Sequence, residues 1–394
     1  MIPVSRQESR QLRPSWEFPS SPARSKVLPI TTAYSTEPLA QAAHDLQAQC
    51  GNSKPQLVLF FASTRYEPQQ LSERLQADFP GACVVGCSTA GEIASGKMMT
   101  GAVVAMFFPA DVVEDVTARV VENLGSEVAV QRAFAEFERH FQLPVSSMGL
   151  TRYVGLVLVD GLSGAEEWLM EKIGDRSDIL FVGGAAGDDL KFQKTWVCAG
   201  GKAYTNAAVL VLLRLKNGFD ILKTQSFMPT GQRLVATQVD EAHRKVVQFD
   251  HKPAVQAYAE AITAPPQEVS AHFMQRPVAL MINGEPFVRS PQRVDGQSIV
   301  FYCQIKEGME LEVLRNTDIV ADTRAALAAK KSALGYIAGL IDFHCILRTL
   351  ELREEKRCDQ YGAIFSGVSA IGFSTYGEEY VGHMNQTSTM LLFR

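Results

Sequence analysis

Between residues 56 and 86 the chain passes from strand to helix to strand, and that alternation constrains most of what can follow. Residues 56–62 are a continuous apolar run of strand length. Residues 68–79 have helical spacing and are closed by Pro80-Gly81, after which residues 82–86 are apolar again. Two buried strands joined by one helix in so short a span make a parallel βαβ unit, because a parallel pair needs a crossover connection. A chain built this way is committed to an α/β sheet covered by helices.

The neighbouring segments extend the pattern. Residues 38–49 repeat Leu39, Ala42, Ala43 and Leu46 at helical spacing and stop at Gly51. Strands are expected at 102–108 and 153–159, with an amphipathic helix over 127–141 between them and another at 164–173. Residues 195–197 and 207–215 read as antiparallel strands around Gly200-Gly201. The character of the chain changes near Phe249-Asp250-His251-Lys252-Pro253. Beyond it, helices are expected at 254–262 and 318–334, and strands at 278–282, 298–301, 310–314, 339–347 and 363–373. No internal repeat is evident. At 394 residues the chain is too long for one ordinary core. The expectation is therefore a mixed α/β protein with a loose arm over 1–30 and two domains, 31–248 and 249–394, each a mixed sheet with flanking helices.

Several function classes are excluded on composition. A net charge of -5, with no Lys/Arg run, argues against a nucleic-acid binder. The longest apolar runs, 101–109 and 207–213, are too short to span a bilayer. Seven cysteines without a Cys-x-x-Cys pair fit reduced thiols in a cytoplasmic protein. Arg6, Arg10 and Arg13 among four early prolines, with no apolar stretch, do not form a secretory signal.

Four stretches carry possible chemistry. Gly86-Cys87-Ser88-Thr89-Ala90-Gly91-Glu92 begins where a buried strand ends, at the sheet edge where open α/β folds bind ligands. It reads as a ligand-contacting turn through Cys87, Ser88 and Thr89, or as a plain turn. A thiolate nucleophile at Cys87 lacks a base nearby in sequence, and no complete catalytic constellation marks the chain as an enzyme. Gly183-Gly184-Ala185-Ala186-Gly187-Asp188-Asp189 ends in two acids that repel phosphate, so it suits an amine, a cation or a structural turn. Along 341–348, alternation puts Asp342, His344, Ile346 and Arg348 on one strand face. That face is a pocket wall or a charge-balanced buried surface. The chain then closes on Thr375-Tyr376-Gly377-Glu378-Glu379-Tyr380-Val381-Gly382-His383-Met384-Asn385-Gln386-Thr387. If residues 383–391 are extended, His383, Asn385, Thr387 and Thr389 share one face, and Glu378 is placed to orient His383.

Together these segments resemble the FIST family of bacterial sensory proteins, which pair an N-terminal with a C-terminal FIST domain. The resemblance rests on Gly86–Glu92 and Gly183–Asp188 as quoted, then on Lys252-Pro253-Ala254, Cys345-Ile346-Leu347-Arg348, Tyr376-Gly377-Glu378 and Asn385-Gln386-Thr387. It implies sensing of small ligands in signal transduction, with amino acids the first ligands proposed for the family. The ending Thr-Tyr-Gly-Glu…His-x-Asn-Gln-Thr is similar to a subgroup that binds haem b, senses nitric oxide and acts on a partner histidine kinase. On that resemblance His383 is the first candidate for the haem iron and His344 the second. His344 stands where the family has Asp before Cys-Ile-Leu-Arg, and Glu379 where it has Gln after Gly-Glu. The alternative is an amino-acid or small-metabolite module without haem. There Asp188 or Glu378 would take the amine and Arg348 or turn amides the carboxylate, with Tyr376 and Asn385 lining the pocket. An enzyme using Cys87 is the third reading.

Overall fold

The computed structural model describes residues 30–394. Apart from Ile30, the expected arm over 1–30 lies outside the described residues. The opening βαβ unit is present. Strands Pro55–Ser63 and Cys83–Thr89 pair in parallel, Leu57 opposite Cys83, and helix Pro68–Asp78 crosses between them. Pro68 occupies the first helical turn, and the Glu67 side chain caps it by accepting from the Gln70 amide.

The same arrangement then recurs, so the chain contains an internal repeat that its sequence does not announce. Each copy runs strand, helix, strand, helical crossover, parallel strand, hairpin, strand. In the first copy these are Thr31–Ser35, Leu39–Cys50, Pro55–Ser63, Pro68–Asp78, Cys83–Thr89, the hairpin 92–99 and Val103–Pro109. In the second they are Val113–Glu122, Glu127–Phe141, Tyr153–Val159, Glu166–Gly174, Phe181–Ala185, the hairpin 197–204 and Ala207–Leu215. In the third they are Phe219–Gln225, Ile319–Leu334, Gly339–Cys345, the helices Ile346–Glu354 and Cys358–Gly362, Ala370–Thr375, the hairpin 378–384 and Thr387–Phe393. In all copies the last strand pairs antiparallel with both the first strand and the first parallel strand.

The hairpins are exchanged in a ring. Hairpin 92–99 extends the third copy's sheet, hairpin 197–204 extends the first, and hairpin 378–384 extends the second. Three six-stranded sheets result. Their inner faces share one apolar core, to which Leu59, Phe61 and Val104, Leu156 and Val211, and Phe343 and Leu391 contribute from the respective sheets. Their outer faces are covered by their own helices. The fold is thus mixed α/β, as expected, with strands from the two sequence halves sharing sheets.

Between the first strand and first helix of the third copy lies an inserted β-unit, residues 227–316. It forms an eight-stranded sheet around a separate core that includes Phe249, Tyr258, Ile299, Phe301 and Leu311. Residue 249 falls inside this unit, at the end of strand Lys245–Phe249.

Four expected elements are corrected. Residues 197–199 pair with 202–204 around Gly200-Gly201, whereas 207–215 belongs to another sheet. The strand expected over 339–347 stops at Cys345, so Ile346 and Arg348 are helical and do not share a strand face with Asp342 and His344. Residues 363–365 form a single 3-10 turn, and that strand starts at Ala370. The extended run over 383–391 is broken at Gln386, whose φ of 53° reverses the chain.

Candidate functional site

The turns that follow the second parallel strand of each copy meet at one end of the shared core. Gly187 N donates to Ser88 O and Asp189 N to Thr89 O, tying the second turn to the first. Ala185 N donates to Gly377 O, and Tyr376 N donates to Ala185 O, tying the second to the third. Ala90 N donates to Ser374 O, and Ser374 N to Gly91 O, closing the ring. The backbones are so close that a Cβ at Gly187 would sit 2.8 Å from Ala90 N.

Two of these turns are built alike. Glu92 accepts from the Thr89 hydroxyl three residues earlier and, at 3.0 Å, from Ala102 N at the root of the following strand. Glu378 accepts from the Thr375 hydroxyl at 2.7 Å, from Thr387 N at 3.0 Å and from the Thr387 hydroxyl at 2.8 Å. Each carboxyl is buried and closes the base of the hairpin that its copy donates. Burial pushes Glu92 up to about 8 and Glu378 up to about 7, against the pull of their donors. Glu378 is therefore a latch within the backbone, fully buried and away from the cleft described below.

The second turn departs from this pattern. Asp188 stands where the others have Glu, and a longer loop separates it from its hairpin. Its carboxylate accepts from Phe192 N, Gln193 N and Lys194 N at 2.8, 2.6 and 3.0 Å, and from the Tyr376 hydroxyl. Burial would raise this acid, but those donors outweigh it and hold it below its ordinary value. Asp188 thus organises its own loop. The Tyr376 hydroxyl also accepts from Leu190 N at 3.1 Å, and its ring stacks on Phe192 with centroids 5.0 Å apart. Asp189, Leu190 and Phe192 all have positive φ, unusual for residues with side chains and costly unless the surroundings hold them.

That loop carries Asp189 over a cleft of about 350 Å³ lined by Ser63, Ala90, Thr100, Gly101, Asp189 and Arg353. Asp189 Oδ2 accepts from Ser63 Oγ at 2.9 Å, Thr64 N at 3.0 Å and Thr64 Oγ1 at 2.7 Å. Arg353 reaches Ala90 O only at 3.5 Å. An acid and a guanidinium thus line one small cleft at the carboxyl edge of the first sheet, where ligand sites are common in α/β folds. Sequence reasoning marked the acidic rim that ends in Asp189 but missed Arg353, which comes from a helix read as strand at its start.

The other expected site residues lie elsewhere. Cys87 is inside strand Cys83–Thr89, in the shared core, and burial pushes its thiol well above the ordinary value, with Cys198 adding to the effect. That environment favours the thiol over the thiolate. Ser88 Oγ accepts from Trp196 N at 2.9 Å, and Thr89 serves the Glu92 latch. Arg348 is buried on the far face of the third sheet, donating to Thr323 Oγ1 at 3.0 Å and Ser226 Oγ at 3.4 Å. His344 is fully buried there too, its ring 4.5 Å from Tyr361 and neither nitrogen hydrogen-bonded. Burial and Arg348 push it well below its ordinary value, so it is neutral. Asn385 is buried with its Oδ1 unpaired.

His383 is buried against Gly377, where an added Cβ would lie 2.0 Å from its Cε1. Its Nδ1 is 2.8 Å from Glu379 Oε1. Burial favours the neutral ring, but Glu379, Glu167 and Glu166 outweigh it and raise His383 to about 9. The carboxylate contact is at Nδ1 and orients the ring. Neither His383 nor His344 lines the cleft. Among the described residues, no group of three or more His, Cys, Asp or Glu side chains is placed to hold a metal ion, and no helix is long and apolar enough to cross a membrane.

Comparison with known proteins agrees with this architecture. Residues 56–252 match the FIST N domain and residues 254–380 match the FIST C domain. An uncharacterized protein of Methanocaldococcus jannaschii is 25% identical over 301 residues, which are 70% of this chain and 57% of that relative. The match thus spans somewhat over half of the relative's length.

Proposed function

The chain belongs to the FIST family, whose domains are sensors in signal transduction, and from that premise we propose that it senses a free amino acid or a similar small zwitterion in the Asp189–Arg353 cleft. The observation that carries this reading is the break in internal symmetry. Where two copies use the turn only to latch a hairpin, the second has a longer loop that brings a carboxylate to a cleft also lined by Arg353. The ligand's ammonium binds Asp189 and its carboxylate binds Arg353, with Ser63 and Thr100 beside them. A charge-assisted contact at each end selects for both groups of the zwitterion. A histidine kinase or another signalling protein receives the signal in this reading.

Calorimetric titration of the full chain with each common amino acid tests it. One or a few should bind, and Asp189→Asn and Arg353→Met should each weaken that binding at least about tenfold. Failure of every amino acid to bind, or binding indifferent to both substitutions, rejects the reading. Titration with haemin is the complementary measurement: a ferrous haem spectrum that is lost in His383→Ala would replace this proposal with the haem one.

A further inference from the structure

The inserted β-unit meets the repeats beside the cleft, and its contacts there run through a few side chains. Arg244 donates to Glu166 Oε2 at 2.8 Å and to Glu167 Oε2 at 2.6 Å, both on the second copy's crossover helix. Gln304 N donates to Glu167 Oε1 at 2.7 Å. Arg289 donates to His383 O at 3.2 Å, and Ser290 to Gln386 Oε1 at 2.7 Å. Gln386 in turn donates to Met274 O at 2.8 Å. The unit keeps its own core, separate from the shared one. A body with its own core, docked through polar contacts and one small apolar cluster at Tyr302, is the kind that shifts relative to its neighbour.

Resting on the cleft reading above, we propose that this unit, residues 227–316, is the part that responds to cleft occupancy, and that Tyr376 with hairpin 378–384 is the coupling between them. Tyr376 touches both sides. Its hydroxyl holds Asp188 and Leu190 of the cleft loop, and two residues later the chain enters the hairpin whose His383 and neighbouring Gln386 are gripped by the unit. A second contact runs in parallel. Arg244 also donates to Tyr302 O at 2.8 Å, and Tyr302, Leu190 and Tyr376 pack against the same small cluster of Ala90, Cys345, Ile346 and Leu347.

The cleft loop is suited to two arrangements. Its left-handed residues are held by donors that converge on Asp188 and Asp189. An ammonium bound at Asp189 competes with Ser63 and Thr64 for the carboxylate and loosens that hold. The loop then relaxes, Leu190 and Tyr376 shift, and the Tyr302 and His383 contacts of the inserted unit change with them.

Hydrogen exchange read by mass spectrometry on the full chain tests the coupling without needing the ligand. Arg244→Met should raise exchange within residues 289–304 and sets the scale of undocking. Tyr376→Phe and Asp189→Asn, both outside the unit, should raise exchange in the same peptides at least about threefold, with peptides of strand 207–215 unchanged. Wild-type exchange at 289–304 in both cleft-side variants overturns the proposal, as does an Arg244→Met protein with no change there. The sensing reading fails separately: if no amino acid gives a calorimetric signal while the cleft-side variants still alter exchange at 289–304, the coupling stands and the ligand assignment falls.

Discussion

The turns at Glu92 and Glu378 and the loop at Asp188 occupy equivalent places in three copies of one module, yet they do different work. At Glu92 and Glu378, a Thr three residues before the Glu and an amide at the root of the next strand hold a buried carboxyl that does not line the cleft. At Asp188 the acid is shorter, the preceding Thr is Ala185, and the carboxylate winds an extra loop that positions Asp189. The similar turns are scaffold, and the dissimilar one is where the proposed site lies. A short glycine-and-acid motif can therefore mark the fold of a family without marking its ligand.

The sharpest break of this contrast is a stability measurement. Glu378→Ala strands the Thr375 and Thr387 hydroxyls and the Thr387 amide in a buried position, and should cost about 3 kcal/mol in urea unfolding. Asp189→Ala removes an acceptor that is partly open to water and should cost about 1 kcal/mol. Equal losses would show that the Asp188–Asp189 loop is as structural as the latches.

A smaller effect, with a distinctive sign, is expected from pH. Glu92 and Glu378 have folded values raised to about 8 and about 7, above those of the unfolded chain. For an acid raised on folding, the stability it confers is full below the unfolded value and is lost as pH rises through the folded one. His383, raised to about 9, acts in the same direction: its contribution is full below its unfolded value and is lost as pH climbs through about 9. Asp188 is depressed, so its contribution is present at neutral pH and disappears on acidification. Melting temperature should fall between about pH 5 and pH 9. Glu92→Gln, which copies the protonated acid, should flatten that fall, whereas Asp188→Asn should leave it in place. An unchanged slope in Glu92→Gln would remove the raised latch from the account.

Much of the first two modules was legible in sequence because their parallel strands are buried on both faces, and such strands read as continuous apolar runs. Residues 56–62 and 153–159 are of this kind. Val113–Glu122 and Phe219–Gln225 were not found, since they bury only scattered residues and lie at or next to a sheet edge. The repeat was hidden for a related reason: the copies share topology, while only the turn residues recur as text, and an insertion of a whole β-unit splits the third. In the terminal segment, Glu378 and His383 stood out because polar residues are rare in a strand-rich chain end. Their polarity serves a hairpin latch and an ion pair with Glu379, a need that appears only once the hairpin is seen on another copy's sheet. Arg353 carried no local signal, because its role depends on a loop that is distant in sequence.

The smallest expected effect probes the cleft loop itself. Phe192 is 58% exposed, so its burial contributes little to folding, but its ring stacks on Tyr376 where the loop is held in left-handed conformations. Phe192→Ala forfeits a stack worth about 1 kcal/mol at most in such an open position. Unfolding should register no more than that. Ligand titration should register a loss of a few fold, because a loop less firmly held presents Asp189 in fewer productive arrangements and ordering it must come from binding. A variant equal to the wild type in affinity and weaker in stability would place Phe192 with the scaffold, on the side of Glu92 and Glu378. The reverse, stability kept and affinity reduced, assigns it to the site, and the boundary between the two regions then runs through the Tyr376 ring, with its hydroxyl and its stacked face turned to the loop and its backbone to the latch.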